Sequence, residues 1–179
     1  GSEMCIRDSI TTIIFRRDLI ADAADKLAGS DVVAFSHYVW NKEYNYALAK
    51  EIKSRSPSTL VIVGGPEVPV TDLNFFHKHP YIDLVIEGEG ESSFLKIIES
   101  IESRDFRKVP GVIINKSGFP IKGPKSERIQ DIDDIPSPYL TGVFDNIVRD
   151  NPEVNWSVTL ETNRGCPYAC TFCDWGSLT

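Results

Sequence analysis

Short, almost wholly apolar runs alternate with stretches of helical periodicity between about residue 10 and residue 105. The runs at 31–36, 60–63 and 83–86 contain few polar residues, which is typical of strands covered on both faces. Between these runs, apolar residues are spaced as on one face of a helix. Three such helices are predicted, with the following apolar residues: Leu19, Ile20, Ala23, Ala24 and Leu27; Tyr44, Ala47, Leu48 and Ile52; Phe94, Ile97, Ile98 and Ile101. A shorter helix is predicted near 72–77. The pattern predicts an α/β fold, in which a Rossmann-like parallel sheet has helices on both faces and its strands end at one edge.

The pattern changes after residue 105. Residues 111–121 predict a hairpin with a glycine-containing turn, and the proline-rich residues 122–139 predict an extended linker. Residues 156–160 form one more strand-like run, directly before a cysteine-rich loop. We therefore divide the chain into an artefactual segment at 1–9, an α/β domain at 10–105, a hairpin and linker at 106–155, and the start of a second domain at 156–179. The α/β domain lacks an expected first strand before Ile10.

Composition narrows the class of protein. A hydrophobic fraction of 41% and a charged fraction of 25% are typical of soluble globular proteins, and no apolar run reaches the ~20 residues of a membrane span. The formal net charge is −7 without a cluster of Lys and Arg, which argues against a nucleic-acid partner. Three of the four cysteines are crowded near the C-terminus, unlike a secreted disulfide framework. This distribution predicts reduced thiols and a cytoplasmic protein.

The crowded cysteines are Cys166, Cys170 and Cys173, in C-x-x-x-C-x-x-C spacing. A closed structural zinc site takes four ligands, and iron–sulfur clusters are also usually held by four. Three thiolates therefore favour a cluster with one iron left open for chemistry. A zinc loop and an incidental group of thiols are the alternatives. Gly165, just before the first cysteine, is expected to let the backbone turn.

This loop resembles the signature of the radical S-adenosylmethionine superfamily, including the aromatic Phe172 before the last cysteine. The strand-like run before the loop fits the first strand of that family's barrel. The resemblance implies that Cys166, Cys170 and Cys173 bind three irons of a 4Fe-4S cluster, whose fourth iron binds S-adenosylmethionine. Electron transfer would then cleave this cofactor to a deoxyadenosyl radical, with a flavodoxin or ferredoxin as reductant.

Residues 10–105 resemble the cobalamin-binding domain that precedes the barrel in one class of these enzymes. The resemblance includes residues 35–40, the Gly-Gly-Pro-Glu sequence at 64–67 and the Gly-Glu-Gly-Glu sequence at 88–91, each where a strand gives way to a helix. Ligands of open α/β sheets bind at that edge. The implied cobalamin-binding residues are Ser36, Gly64, Gly65, Glu67, Gly88 and Gly90. Ser36 would hydrogen-bond the nucleotide tail, and the glycines would admit the cofactor closely; alternatively, they only form tight turns.

One feature of the cobalamin-binding family is absent. Its Asp-x-His-x-x-Gly motif, which supplies a histidine to cobalt, has no counterpart here, and His37, His77 and His79 stand in the wrong context. Cobalamin could bind without a histidine, the motif's region could be missing, or the domain could be a scaffold that has lost the cofactor. His77 and His79 are expected to lie exposed at a helix end.

The leading hypothesis for function is a cobalamin-dependent radical S-adenosylmethionine enzyme that acts on a small-molecule substrate. Enzymes of this class are most often methyltransferases. A methylthiotransferase shares the cysteine spacing but needs further N-terminal cysteines. A non-catalytic cobalamin-binding or scaffold module is the alternative from another class. The chain as given is expected to be catalytically silent because most of the barrel is missing, and no catalytic residue is identified.

Overall fold

The computed structural model describes residues 12–160, 164–166, 168 and 170–173. The segment at 1–9 lies outside the described residues. The chain divides into two compact units, residues 1–127 and 128–179.

The first unit is built on one five-stranded sheet in the order β1-β2-β3-β4-β5. Strands β1, β2 and β3 are parallel, while β4 runs antiparallel to β3 and β5 antiparallel to β4. The strands are β1 (Val32–Ser36), β2 (Leu60–Gly64), β3 (Leu84–Ile86), β4 (Val112–Lys116) and β5 (Phe119–Lys122). The parallel α/β core is confirmed. The hairpin that the sequence places after this domain is instead continuous with its sheet.

Helices cover both faces of the sheet, as predicted. Alternate strand residues such as Val61 and Val63 point to one face, where they pack with Phe75 and Phe76. Their neighbours, such as Ile62, point to the opposite face and pack around Ile97. The helices are α1 (Ile20–Lys26), α2 (Lys42–Arg55), α3 (Phe75–Lys78), α4 (Glu91–Glu99) and α5 (Asp145–Asp150), with a 3-10 turn at Ile132–Asp134.

The turn between β4 and β5 has the two-residue form that matches strand twist. Ser117 and Gly118 both have positive φ, 52° and 90°, as a type I′ turn requires. The imidazole of His77 lies against Gly118, where a Cβ would come within 2.6 Å of the ring. Only glycine therefore fits the second turn position without a shift of His77.

The second unit contains the 3-10 turn, α5 and the cysteine loop. The strand expected at residues 156–160 is not formed. A strand exists only where its backbone groups pair with a neighbour, and none of the described strands lies in this unit. The side chains of Trp156, Val158 and Leu160 are accordingly exposed. In the described part of the chain, helices are too short or too polar to cross a membrane.

Candidate functional site

The carboxyl edge of the parallel strands gathers the residues that the sequence singled out there. Ser36 ends β1 and is paired in register with Gly64, which ends β2. Gly65 and Glu67 follow in the loop after β2. The loop after β3 begins at the same edge, because β3 is parallel to β2. Gly88 and Gly90 lie in this third loop, directly before α4. The structure thus brings all six candidate residues to one edge of the sheet.

The loops after β1 and β2 are bonded to each other through their backbones. The His37 amide donates to the Gly64 carbonyl at 2.7 Å, and the Glu67 amide donates to the His37 carbonyl at 3.2 Å. Gly65 has a φ of +98°, and a Cβ there would lie 2.8 Å from the His37 carbonyl oxygen. Gly65 is therefore required by protein packing itself, whatever binds at the edge.

The other glycines leave room. A Cβ on Gly64 would meet Ile86 at an ordinary 3.7 Å, and one on Gly88 or Gly90 would meet nothing within 4 Å. Ser36 is an exposed residue, and its hydroxyl makes no hydrogen bond to any residue that the structure describes. An open backbone surface beside a free hydroxyl fits a large ligand that needs close approach and a polar contact.

Glu67 is held from the neighbouring helix. Its carboxylate accepts from Lys42 Nζ at 2.7 Å, with both side chains about one-third exposed. This hydrogen bond and the charge of Glu67 raise the pKa of Lys42. The carboxylate of Glu67 therefore joins the second loop to α2, a role that the sequence did not indicate.

His37, next to Ser36, is fully buried. Neither of its ring nitrogens has a hydrogen-bond partner in the described part of the chain, and the ring meets the edge of Tyr46 at 4.8 Å. Burial lowers the pKa of His37 to about 4, with His79 and Lys42 adding smaller effects. An imidazole this buried is neutral at pH 7, and its nitrogens do not face a ligand at the surface.

The other two histidines differ from each other. His77 is exposed near the end of α3, as expected. The same expectation is wrong for His79, which is half-buried, stacks on Tyr46 at 4.1 Å and is 2.7 Å from the Tyr81 hydroxyl through Nδ1. Burial lowers the pKa of His79. The short helix α3 ends one residue earlier, so the chain turns His79 back onto the flank of α2.

The cysteine loop is described in part. Gly165 has a φ of 79°, which confirms that the backbone turns there through a conformation favouring glycine. Cys166 is half-buried, Cys170 and Cys173 are exposed, and all three are free thiols. Among the described residues, no three His, Cys, Asp or Glu side chains are grouped to hold a metal ion. The expectation of a metal cluster therefore rests on the type and spacing of the three cysteines and not on their geometry among the described residues.

Sequence reasoning missed two residues at the start of α2 that support the edge, one directly before the helix and one in its first turn. Asn41 and Asn45 both donate from their side-chain amides to the Ser36 carbonyl, at 2.9 and 3.1 Å. A signal was present, because Asn45 occupies the apolar stripe of α2 together with Leu48 and Ile52. Asparagine is a poor helix former, and a buried amide needs a partner.

Comparison with known proteins identifies a matching domain family and relatives of known name. A family model described as B12 binding domain matches residues 7–98. The cobalamin-dependent radical SAM methyltransferase TokK of Streptomyces tokunonensis is 43% identical over 164 residues, which cover 89% of this chain and 24% of that protein. A 2-(S-pantetheinyl)-carbapenam-3-carboxylate methyltransferase of Streptantibioticus cattleyicolor is 40% identical over 170 residues, covering 93% and 25%. This chain therefore spans about a quarter of the length of these curated relatives.

A solved structure shows the same fold. It is that of the cobalamin-dependent S-adenosylmethionine radical enzyme OxsB with aqua-cobalamin and S-adenosylmethionine bound. It has a TM-score of 0.68 at 24% sequence identity and covers 87% of this chain and 22% of that one.

Proposed function

Because this chain belongs to the B12-binding domain family, we propose that it binds cobalamin at the carboxyl edge of β1, β2 and β3. The observation that carries the proposal is Ser36 itself, which is exposed at the end of β1, is paired in register with Gly64 and makes no side-chain hydrogen bond to a described residue. Open parallel sheets bind ligands at this edge. Bound cobalamin supplies a cobalt centre that can carry a methyl group.

The residues of the edge have distinct tasks in this proposal. Ser36 hydrogen-bonds the nucleotide tail of the cofactor, while Gly64, Gly88 and Gly90 let the ligand approach the backbone. Gly65 and Glu67 act indirectly, since they hold the first two loops together. His37 is outside the set of ligands because its ring is buried.

For the second unit we propose a 4Fe-4S cluster bound by Cys166, Cys170 and Cys173. The cluster supplies the electron for reductive cleavage of S-adenosylmethionine. Three thiolates are one fewer than the four ligands that such a cluster usually has, so one ligand position would be left for S-adenosylmethionine. A flavodoxin or ferredoxin would supply the electron, and a reducing, cytoplasmic environment would keep the thiols reduced.

The parent reaction is proposed to be methyl transfer to a small molecule, since the two curated relatives described above, from Streptomyces tokunonensis and Streptantibioticus cattleyicolor, are methyltransferases. This chain spans about a quarter of those relatives, so we propose that it binds cobalamin by itself but does not turn over substrate. Measurable S-adenosylmethionine cleavage by this chain under reducing conditions would contradict the second part.

The proposal is tested by incubating the chain with hydroxocobalamin and removing free cofactor by gel filtration. We expect the unmodified chain to retain a corrinoid spectrum, and Ser36→Ala to bind hydroxocobalamin with a higher dissociation constant. Ser54→Ala, which removes an exposed hydroxyl from the other end of α2, is the matched control and should bind normally. A chain that retains no corrinoid would end the cobalamin part of the proposal while leaving the cluster assignment standing.

A further inference from the structure

The first turns of α2 reach back to the last residue of β1. The Ser36 carbonyl accepts two side-chain amides, Asn41 Nδ2 at 2.9 Å and Asn45 Nδ2 at 3.1 Å. A carbonyl oxygen has two lone pairs, so these donors saturate it. The backbone of Ser36 is thus fixed on its carbonyl side, while its hydroxyl makes no hydrogen bond to a described residue and the residue is exposed.

The two asparagines are not equivalent. Asn41 also accepts the Tyr38 amide at 2.8 Å, so it closes the loop between β1 and α2 whether or not a ligand is present. Asn45 is 7% exposed, and in the described part of the chain its side chain hydrogen-bonds only the Ser36 carbonyl.

The position of Asn45 favours an apolar residue. It lies on the same stripe of α2 as Leu48, Ala49 and Ile52, all of which are buried. Burying an amide at such a position costs desolvation, and asparagine costs more than leucine in a helix. The contact with Ser36 is therefore the property that an apolar side chain could not supply.

From these contacts we propose that Asn45 is a positioning residue for cobalamin binding, which acts through the Ser36 backbone to aim the Ser36 hydroxyl at the cofactor. The inference rests on the proposed function of the carboxyl edge. Lys42, one turn earlier on α2, complements it by holding Glu67 of the second loop at 2.7 Å. The start of one helix thereby holds the first two of the three loops at this edge.

The test is a double-mutant cycle on the complete chain, with hydroxocobalamin as the probe. Asn45→Leu keeps the size of the side chain and suits the apolar stripe, but it removes the amide donor; Asn45→Ala is the second variant. For each we expect a dissociation constant about tenfold higher than that of the unmodified chain, in the range of one lost hydrogen bond. Lys50→Ala, at an exposed position of the same helix, should leave the constant unchanged.

The decisive measurement repeats the Asn45 substitutions in the Ser36→Ala background. If Asn45 acts through the Ser36 hydroxyl, its effect shrinks to less than about twofold there, whereas a general loss of stability would weaken binding equally in both backgrounds. Urea unfolding of each variant monitors stability separately.

The outcomes distinguish this inference from the proposed function. Equal weakening in both backgrounds, or normal binding by Asn45→Leu, overturns the positioning role while cobalamin binding stands. A Ser36→Ala chain that binds normally overturns it too, because the hydroxyl through which Asn45 acts is then idle. If the unmodified chain binds no hydroxocobalamin, the proposed function fails and the positioning role fails with it.

Discussion

Gly65 packs directly on the backbone of His37. A Cβ at Gly65 would lie 2.8 Å from the His37 carbonyl oxygen and 2.9 Å from its nitrogen, closer than real Cβ atoms come to such atoms. The contact joins the loop after β2 to the loop after β1 at the edge where the ligand is proposed to bind. A glycine that resemblance alone assigns to the cofactor is thus required by contact between two protein loops.

The neighbouring glycines Gly64 and Gly65 should differ in how strongly alanine destabilises the fold. We expect Gly65→Ala to lower the free energy of unfolding by roughly 2 to 4 kcal/mol, because it adds a backbone clash to an unfavourable positive φ. Gly64→Ala should have a much smaller effect, since its Cβ would meet Ile86 at 3.7 Å. Urea unfolding followed by circular dichroism measures both, and similar losses in the two variants would refute the packing argument.

Gly90→Ala tests the ligand directly. A Cβ at Gly90 meets no atom within 4 Å, and its φ of −87° suits alanine, so the fold should tolerate the change. If cobalamin approaches the backbone there, the added methyl group should raise the dissociation constant for hydroxocobalamin by about tenfold or more. Equilibrium dialysis gives the constant. Unchanged affinity in a stable Gly90→Ala chain would remove Gly90 from the binding surface.

The burial of His37 predicts how stability depends on pH. Folding lowers its pKa from 6.5 to about 4. Between pH 6.5 and pH 4, His37 is therefore protonated in the unfolded chain but neutral in the folded chain, which favours unfolding. The contribution of the neutral, buried imidazole to the free energy of unfolding is fully present above pH 6.5 and is lost as the pH falls toward 4. Its full size is about 3 kcal/mol.

Leucine at position 37 isolates that contribution. His37→Leu should flatten the decline in the free energy of unfolding between pH 6.5 and pH 4, compared with the unmodified chain. His77→Gln changes an exposed histidine and should leave the decline in place. Unfolding curves measured at several pH values provide the comparison, and parallel curves for His37→Leu and the unmodified chain would contradict the prediction.

The cysteine loop can be tested by the iron content of the chain. After anaerobic reconstitution with iron and sulfide, we expect about four irons per chain if a 4Fe-4S cluster forms. Cys170→Ala should lose most of this iron, whereas Cys5→Ala removes the cysteine outside the loop and should keep it. Iron and sulfide analysis with the visible spectrum measures the result. Zinc in place of iron, or iron binding unaffected by Cys170→Ala, would count against the assignment.

The elements of the first unit could be predicted because their signals are local. Apolar runs predicted β1, β2 and β3, and helical spacing predicted α2 and α4. Gly29, which follows α1, has a φ of 80°, a conformation that favours glycine after the end of a helix. The candidate residues also reached one edge, because parallel strands impose that arrangement.

What the sequence could not supply depends on contacts between distant residues. The hairpin is predictable from its turn, but its pairing with β3 joins Leu84 to Ile114, thirty positions apart in the chain. The run at 156–160 has strand composition without a strand partner among the described residues. The burial of His37 and the contact of Asn45 with Ser36 likewise depend on how α2 lies over the loops.

Strand β5 has a consequence for how the molecule behaves when concentrated. Gly123 donates to the Val112 carbonyl at 2.7 Å, and alternate pairs of an antiparallel ladder are bonded, so the N–H positions of Pro120 and Lys122 face away from β4. Proline has no N–H to offer there. Of the two outward positions, Lys122 alone carries a donor, and a charged side chain on an edge strand discourages pairing with another chain. A neighbouring chain therefore meets an incomplete ladder, which disfavours edge-to-edge aggregation along β5.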